Sequence, residues 1–131
     1  MKLHILIVLI LGFTLIGCKF LKRSSPPIEV SAHQLIAEYS EQSIAADKKY
    51  NGQTLIITGN INHYFQLRGI IGVYLKDENA TNKWQILCLI DTATQADAYS
   101  RLHQWETATF EGIAEPNDGD FFIRITDCKI K

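Results

Sequence analysis

Three cysteines are the residues of this 131-residue chain with the clearest capacity for covalent chemistry. Cys18 ends an apolar run and is followed at once by Lys19, whereas Cys88 and Cys128 lie in short segments of the kind that form strands. A cysteine can be acylated or can join a second cysteine in a disulfide, and the cellular compartment decides whether a disulfide persists. The role of each cysteine therefore depends on the elements around it.

No other set of residues has the spacing of a catalytic or metal site. His33, His63 and His103 are far apart in the sequence and lack the short spacing that metal ligands usually show. Asp118-Gly119-Asp120 lacks the further oxygens and the closing glutamate of an EF-hand loop, and turn formation accounts for it. The chain contains no G-x-S-x-G, Walker, G-x-G-x-x-G or His-Glu-x-x-His sequence. We therefore predict a protein that is not an enzyme and needs no metal or cofactor.

Residues 1–17 have the layout of a secretory signal peptide, with Lys2 first, an apolar stretch from Leu3 to Ile16, and a small glycine last. A membrane-spanning helix needs about 20 apolar residues, so this run is short for a transmembrane anchor. The sequence Leu15-Ile16-Gly17-Cys18 resembles the lipobox of bacterial lipoproteins. That resemblance implies cleavage before Cys18 and acylation of its thiol, for example by palmitate, and of its new amino group. Two or three acyl chains would give stable anchoring in a membrane.

Residues 18–30 are interpreted as a linker. They carry three basic side chains, two serines and two prolines, a composition typical of a semi-rigid spacer between a membrane and a domain. The alternative is an uncleaved signal anchor, in which Lys19, Lys22 and Arg23 would hold the following segment on the cytoplasmic side of the membrane.

The mature part of the chain is mildly acidic. Removing Lys2 with residues 1–17 takes the 13 Lys and Arg to 12, against 14 Asp and Glu, for a formal net charge of −2. Proteins that bind oligonucleotides usually carry a basic patch, because phosphate contacts dominate their affinity. Nucleic acid is therefore not the partner that the composition favours.

Helix and strand patterns begin after residue 30. Ser31 and Gln34 form a capping-box signature, so the apolar spacing predicts a helix from Ala32 to Lys49, which Asn51-Gly52 ends. Alternating or continuous apolar runs predict five strands, and a second, short helix is predicted between the third and the fourth. The predicted strands are residues 53–62, 70–77, 84–91, 108–115 and 120–130, and the second helix is Ala93–Leu102.

Three strands, a helix and two further strands form the element order of an OB-fold, a five-stranded Greek-key barrel. Residues 30–61 also resemble the opening of the tRNA_anti-like family, and VYLKD, ILCLI, FEGI and ITDCKI resemble its later segments. The resemblance covers residues 30–131 and implies one OB-fold domain, residues 31–131, of a kind found in many bacterial lipoproteins. The family name records similarity to anticodon-binding domains and does not by itself imply tRNA binding.

Cys88 and Cys128 fall in the third and the fifth predicted strand, which lie side by side in OB barrels. Export would place this even pair in an oxidising compartment, so we predict a disulfide between them. The alternative is two buried free thiols that act as small hydrophobic side chains.

OB-folds commonly bind ligands through strands two and three and the loops beside them. Strand parity places Tyr74 and Lys76 on the outer face of the second strand, and Gly72 between its neighbours would allow close approach of a partner. Aromatic rings near a guanidinium can stack on bases or sugars, so the predicted ligand-binding residues are Tyr64, Arg68, Tyr74, Lys76 and Trp84. The alternative is that Phe65 and Trp84 close the ends of the barrel and that Tyr74 is simply a good strand former.

Two functions stand at this stage. The first is a lipid-anchored, non-enzymatic OB-fold module of the bacterial cell envelope that faces the periplasm or the cell exterior and contacts a protein or a glycan. The second is a nucleic-acid-binding OB-fold protein. The acidic balance of the mature chain favours the first.

Overall fold

One six-stranded sheet makes up most of the domain. The computed structural model describes residues 25–77 and 81–131, so the predicted signal peptide and the predicted lipidation site Cys18 lie outside the described residues. The strands are β1 (Ile28–Ser31), β2 (Thr54–Leu67), β3 (Ile70–Lys76), β4 (Gln85–Asp91), β5 (Thr107–Ala114) and β6 (Phe122–Ile130). The helices are α1 (Ala32–Glu41), α2 (Ser43–Tyr50) and a short 3₁₀ helix (Tyr99–Arg101). No helix in the two described ranges is long and apolar enough to cross a membrane.

Strands β2 to β6 close into a barrel in the order β2-β3-β4-β6-β5, because β5 pairs back with β2. β4 and β6 are parallel, and the other pairs within the barrel are antiparallel. These are the five strands that the sequence predicts, and their closure has the arrangement of an OB-fold.

β1 is a further strand that the sequence does not predict. It pairs in parallel with the first half of β2, where Ile28 lies opposite Leu55 and Ser31 opposite Thr58. The sheet therefore extends into the end of the segment interpreted as a linker.

Alternation along the barrel strands separates an inner from an outer side. In β4, Ile86, Cys88 and Ile90 are buried, while Leu87 and Leu89 between them are only half-buried. Burying one Leu or Ile side chain contributes roughly 1.5–3 kcal/mol, so the inner side is the main source of stability.

The helix predicted from Ala32 to Lys49 is in fact two helices separated by Gln42. The backbone of Gln42 has φ −146° and ψ 81°, which lies outside the helical region. Ala46 and Tyr50 of α2 are buried in the core, whereas Ile44 is exposed. Helical spacing from Tyr39 leads to Ala46 and Tyr50 and passes over Ile44, so the apolar character of Ile44 does not place it in the core.

The predicted ends of this helical segment are confirmed. The hydroxyl of Ser31 accepts a hydrogen bond from the backbone N–H of Gln34 at 3.0 Å and caps α1. Gly52, after the end of α2, has φ 76°, a conformation that glycine adopts without strain.

Residues 93–102 do not form the predicted α-helix, since they consist of turns and the 3₁₀ helix. The carboxylate of Asp91 accepts a hydrogen bond from the N–H of Ala93 at 2.9 Å, and such local bonds offer the backbone an alternative to a helix. The side-chain amide of Gln95 bonds both backbone groups of Ile130, at 2.8 and 3.2 Å. The segment is therefore docked on the end of β6 instead of continuing as a helix.

Cys88 and Cys128 are two buried free thiols in the structure, which does not contain the disulfide that the sequence predicts. The two strands that carry them are neighbours, as predicted, and Cys88 lies opposite Ile125. A positive φ of 51° at Asp127 interrupts the alternation of β6 just before Cys128, and the Cys128 side chain is buried. Gly112 of β5 lies against it, because a Cβ on that glycine would come within 2.7 Å of the Cys128 sulfur.

Candidate binding face of the barrel

An extra residue in β2 decides which aromatic side chains face outward. Ile61 pairs with Leu75 and His63 pairs with Tyr74, which leaves Asn62 as an unpaired β-bulge. Because side chains alternate along a strand, one inserted residue reverses the inward and outward positions beyond it.

Beyond this bulge Phe65 faces outward and Tyr64 faces the interior. Phe65 lies opposite Gly72, and its ring occupies the space above that glycine, where a Cβ would lie 2.4 Å from the ring. Tyr64 is half-buried against the core and contacts Tyr99 edge to face, with ring centroids 5.3 Å apart. Simple alternation predicts the reverse, so Tyr64 does not lie on the outer side of the barrel and Gly72 is covered by Phe65.

The outer side of β3, β4 and β6, together with the second half of β2, forms a mainly apolar surface. Tyr74 lies opposite Leu87, and Leu87 lies opposite Arg124, so these three side chains form a row across the strands. Leu67 and Ile70 extend this surface toward the β2–β3 turn, with 62% and 46% of their surface exposed. We define the outer face by the six residues at its centre: Phe65, Tyr74, Leu87, Leu89, Phe122 and Arg124.

Tyr74 is the centre of an aromatic cluster on the outer face. Its ring centroid lies 5.9 Å from that of Phe65, 6.0 Å from that of Phe122 and 6.3 Å from that of His63. These separations are in the range of favourable aromatic pairs. Three different strands therefore contribute to one continuous aromatic surface.

Arg124, the arginine of the outer face, is paired with two carboxylates. Its Nη1 and Nη2 donate to the two carboxylate oxygens of Asp120 at 3.2 and 2.5 Å, and the carboxylate of Asp118 lies 3.7 Å from Nη1. The guanidinium also lies 5.9 Å from the ring centroid of Phe122. The hydrogen bonds from Arg124 hold the pKa of the Asp120 carboxyl below its ordinary value, so Asp120 stays ionised down to a lower pH than usual.

Asn117 fixes the β5–β6 loop that carries these aspartates. Its side-chain NH₂ donates to the carbonyls of Asp120 and Phe122 at 3.2 and 3.1 Å, and its side-chain oxygen accepts from the N–H of Gly119 at 2.9 Å. The backbone N–H of Asn117 donates to the carboxylate of Asp47 in α2 at 3.0 Å. The loop is thereby tied to a helix and holds Asp120 beside Arg124.

The remaining predicted ligand-binding residues lie in three different environments. Lys76 is on the outer side of β3, as predicted, opposite Gln85 at the edge of the outer face. Arg68 is exposed in the β2–β3 turn, where its φ is 50°. Trp84 is only 9% exposed and packs on Tyr39 with ring centroids 5.5 Å apart, so it is a core residue. For Trp84, this burial favours the alternative of a structural role.

Sequence reasoning missed most of the outer face. Leu87 and Leu89 lie in a continuous apolar run, whose parity the sequence does not show. Phe122 and Arg124 alternate with two isoleucines, and this pattern in the fifth predicted strand could have identified them.

The histidines are not brought together. His63 belongs to the aromatic cluster, and Nδ1 of His33 lies 3.0 Å from a carboxylate oxygen of Asp77 near the start of α1. Across residues 25–77 and 81–131, no group of three His, Cys, Asp or Glu side chains is arranged to hold a metal ion.

Comparisons with known proteins agree with the barrel topology. The sequence profile of the tRNA_anti-like family matches residues 2–120. A lipoprotein from Klebsiella pneumoniae subsp. pneumoniae, provisionally described as nucleic acid-binding, superposes with a TM-score of 0.68 at 16% identity, over 80% of this chain and 92% of that chain. No protein of curated function matches significantly.

Two other solved structures have a similar fold over part of their length. A Leishmania major protein, provisionally described as an aspartyl-tRNA synthetase, has a TM-score of 0.52 at 7% identity, over 84% of this chain and 22% of that chain. OBody AM3L15 bound to hen egg-white lysozyme has a TM-score of 0.50 at 14% identity, over 61% of this chain and 79% of that chain. At these identities the likeness concerns the fold alone.

Proposed function

Because the chain belongs to the tRNA_anti-like family, we propose that it is a non-enzymatic OB-fold binding module, anchored in the bacterial cell envelope by lipid at Cys18, that contacts a protein partner through the outer face. The observation that carries this proposal is the apolar outer face itself. On it an aromatic cluster lies beside two leucines and an arginine that carboxylates already neutralise.

The composition of the outer face supports a protein partner. The cores of protein interfaces are enriched in aromatic residues and arginine, and an exposed apolar patch rimmed by polar groups marks an interaction site. The exposed side chains of Leu67 and Ile70 extend the apolar surface beyond the aromatic cluster. The OBody complex with lysozyme is an example of a protein of similar fold that binds a protein.

Two observations support the anchor. Cys18 follows a short apolar run that ends in Leu-Ile-Gly, and a solved protein of similar fold is a lipoprotein. The route of the chain is compatible with this arrangement, because β1 pairs with the first half of β2 whereas Phe65 of the outer face lies in the second half.

Site-specific photo-crosslinking tests the protein partner. A benzoylphenylalanine in place of Tyr74 in the full-length chain should give a discrete protein adduct in intact cells, whereas the same group in place of Asp97 should not. Asp97 is a suitable control because its side chain is 68% exposed and lies in the segment between β4 and β5. Equal adducts at the two positions, or recovery of a glycan or nucleic acid without protein, would show that a protein is not the partner.

Fractionation tests the anchor. The substitution Cys18→Ser should release the protein from membranes or leave an unprocessed precursor. If the variant matures and sediments with membranes as the parent does, lipid attachment at Cys18 is the wrong explanation.

Binding of single-stranded nucleic acid is the second candidate function. One observation favours it, since the guanidinium of Arg124 lies over Phe122 beside Tyr74, and bases stack on such platforms. The acidic balance of the chain opposes it, because affinity for nucleic acid depends on neutralising phosphates. Tight, salt-sensitive oligonucleotide binding that Tyr74→Ala abolishes would favour this candidate over a protein partner.

A further inference from the structure

We propose that Asp118 and Asp120 determine the specificity of the outer face: by pairing with Arg124 they prevent it from binding single-stranded nucleic acid. The inference rests on the proposed function, since it concerns the same face. It assigns these two acidic residues the role of excluding one class of ligand.

Arg124 has the position that a phosphate-binding group would need. It lies in one row with Tyr74 and Leu87, and its guanidinium lies over the ring of Phe122. A strand whose bases stacked on the aromatic cluster would bring its phosphates close to this guanidinium. Arginine binds phosphate through two parallel N–H bonds, which is the geometry that Asp120 already occupies.

Hydrogen bonds to Phe122 and Asn117, in addition to those from Arg124, hold Asp120 in place. Its carboxylate oxygen Oδ1 also accepts a hydrogen bond from the N–H of Phe122 at 3.2 Å, and its carbonyl accepts from the side chain of Asn117. Displacing this carboxylate from Arg124 would therefore disturb a loop that is tied to Asp47 of α2. A phosphate would have to break this arrangement or bind beside it.

Binding beside the pair is also opposed by charge. A phosphate near Arg124 would lie within the screening length of about 8 Å at physiological ionic strength from both carboxylates, so it would be repelled by two charges while attracted by one. An uncharged, apolar protein surface meets no such repulsion. The pairing therefore discriminates between the two candidate ligands of the same face.

Charge-neutralising substitutions test this inference. We compare the parent, the double variant Asp118→Asn/Asp120→Asn, and the control Asp97→Asn/Glu106→Gln, which makes the same change in net charge away from the outer face. Each full-length protein is held in neutral detergent and titrated with a fluorescein-labelled oligothymidine of about 15 nucleotides, a length that an OB-fold can occupy. Asparagine keeps a side-chain oxygen that can accept the hydrogen bond from the backbone N–H of Phe122, so we expect the loop to keep its conformation.

The double variant should bind the oligothymidine about tenfold more tightly than the parent, the gain expected for one released charge-assisted contact. The slope of log affinity against log salt should steepen by about 0.7, the value for one added phosphate contact with a single strand. The control should bind as the parent does, and adding Arg124→Ala to the double variant should abolish the gain. The inference is overturned if the double variant gains nothing, if the control gains as much, or if the gain survives Arg124→Ala.

Thermal melting in the same detergent shows whether each variant is folded. If the double variant does not fold, Asp118→Asn alone decides the question, because the side chain of Asp118 is 77% exposed. That variant should show a smaller gain in the same direction, and no gain would overturn the inference. Tight, salt-sensitive binding by the parent itself would overturn both the proposed function and this inference, whereas weak binding by the parent with no gain in the double variant would overturn the inference alone, so the two failures are distinguishable.

Discussion

Cys88 of β4 lies directly opposite Ile125 of β6, and the carbonyl of Ile125 accepts a hydrogen bond from the buried Cys128 thiol at 3.3 Å. The neighbouring thiol of Cys128, together with complete burial, raises the pKa of the Cys88 thiol well above its ordinary value. Only a thiolate attacks a disulfide or an oxidant efficiently, so the folded protein protects this pair from oxidation. A disulfide would therefore form while the chain folds or when the barrel opens.

We predict that the chain, when exported to an oxidising compartment, carries a Cys88–Cys128 disulfide. A bond that closes a loop of about 40 residues stabilises by roughly 4 kcal/mol on the chain-entropy model. Reduction should therefore lower the melting temperature by more than about 10 °C. Alkylation without reductant, followed by mass spectrometry, measures the oxidation state directly.

Protein made in a reducing cytoplasm is the matched control, and both of its thiols should be alkylated after denaturation. If protein recovered from the periplasm also shows two alkylated thiols, the disulfide prediction is wrong and the alternative of two buried thiols is correct. That result would also weaken the case for export.

The substitution Gly112→Ala should be strongly destabilising. An added Cβ would lie 2.7 Å from the sulfur of Cys128, from a methyl group of Ile125 and from the backbone carbonyl of Thr126. Because a backbone atom cannot move aside as a side chain can, we expect a loss of about 1–3 kcal/mol in the free energy of unfolding, near the upper end. Urea denaturation measures it, and a loss below about 0.5 kcal/mol would show that β6 can shift to accommodate the methyl group.

The substitution Gly72→Ala should affect binding more than stability. The three atoms nearest to the added Cβ would all belong to the ring of Phe65, at 2.4 Å for the nearest, and that ring is part of an outward-facing side chain that can rotate away. We expect a loss of less than about 1 kcal/mol in stability, but a clear decrease in crosslinking from position 74, because Phe65 leaves the aromatic cluster. Unchanged crosslinking in the folded variant would indicate that Phe65 is not part of the contact surface.

The five barrel strands could be predicted because each contains a short apolar or alternating run bounded by turn residues, whereas β1 was not predicted and β2 continues to Leu67, beyond the predicted end at residue 62. The third predicted strand, residues 84–91, differs from β4 (Gln85–Asp91) by one end residue. The helices were less predictable because their limits depend on tertiary contacts. The interruption at Gln42 and the docking of Gln95 on Ile130 both involve groups that local patterns do not identify.

The outer face was harder to predict than the strands, because one β-bulge determines which side chains lie on it. Nothing in the residues around Asn62 shows that β2 contains an extra residue. That residue nevertheless turns Phe65 outward and Tyr64 inward, the opposite of what simple alternation predicts. The pairing of β3 with β4 is regular around Tyr74, so the outward position of Tyr74 follows from simple alternation.

The loop aspartates illustrate a different limit. Asp118-Gly119-Asp120 was correctly interpreted as part of a turn, since β5 and β6 are antiparallel neighbours. Their pairing with Arg124 depends on how Asn117 folds the loop back over the start of β6. The sequence pattern identifies the turn, but it does not show that the turn places two carboxylates beside Arg124.

The last prediction concerns alkaline pH and two buried tyrosines, one in α1 and one in α2. The hydroxyl of Tyr39 donates to the carboxylate of Asp47 at 3.4 Å, and the hydroxyl of Tyr50 donates to the carboxylate of Glu38. Burial first, and then the neighbouring carboxylates, raise the pKa of both phenols above the ordinary value. The folded protein therefore holds these two protons more strongly than the unfolded chain does.

A raised phenol pKa stabilises the folded state fully below the unfolded pKa of about 10, and this contribution is lost as the pH rises through the folded pKa. We predict that the free energy of unfolding falls above about pH 10, by up to about 1.4 kcal/mol per pH unit for each tyrosine. Tyr39→Phe should make this fall less steep, whereas Tyr99→Phe, at an exposed ring, should not. Urea denaturation at about pH 8 and about pH 10.5 gives the change in the free energy of unfolding between the two pH values for each protein. Tyr39→Phe loses the hydroxyl hydrogen bond at both pH values, so that loss does not contribute to the change. If the parent and Tyr39→Phe lose the same stability between these pH values, the Tyr39 proton is not what couples folding to alkaline pH.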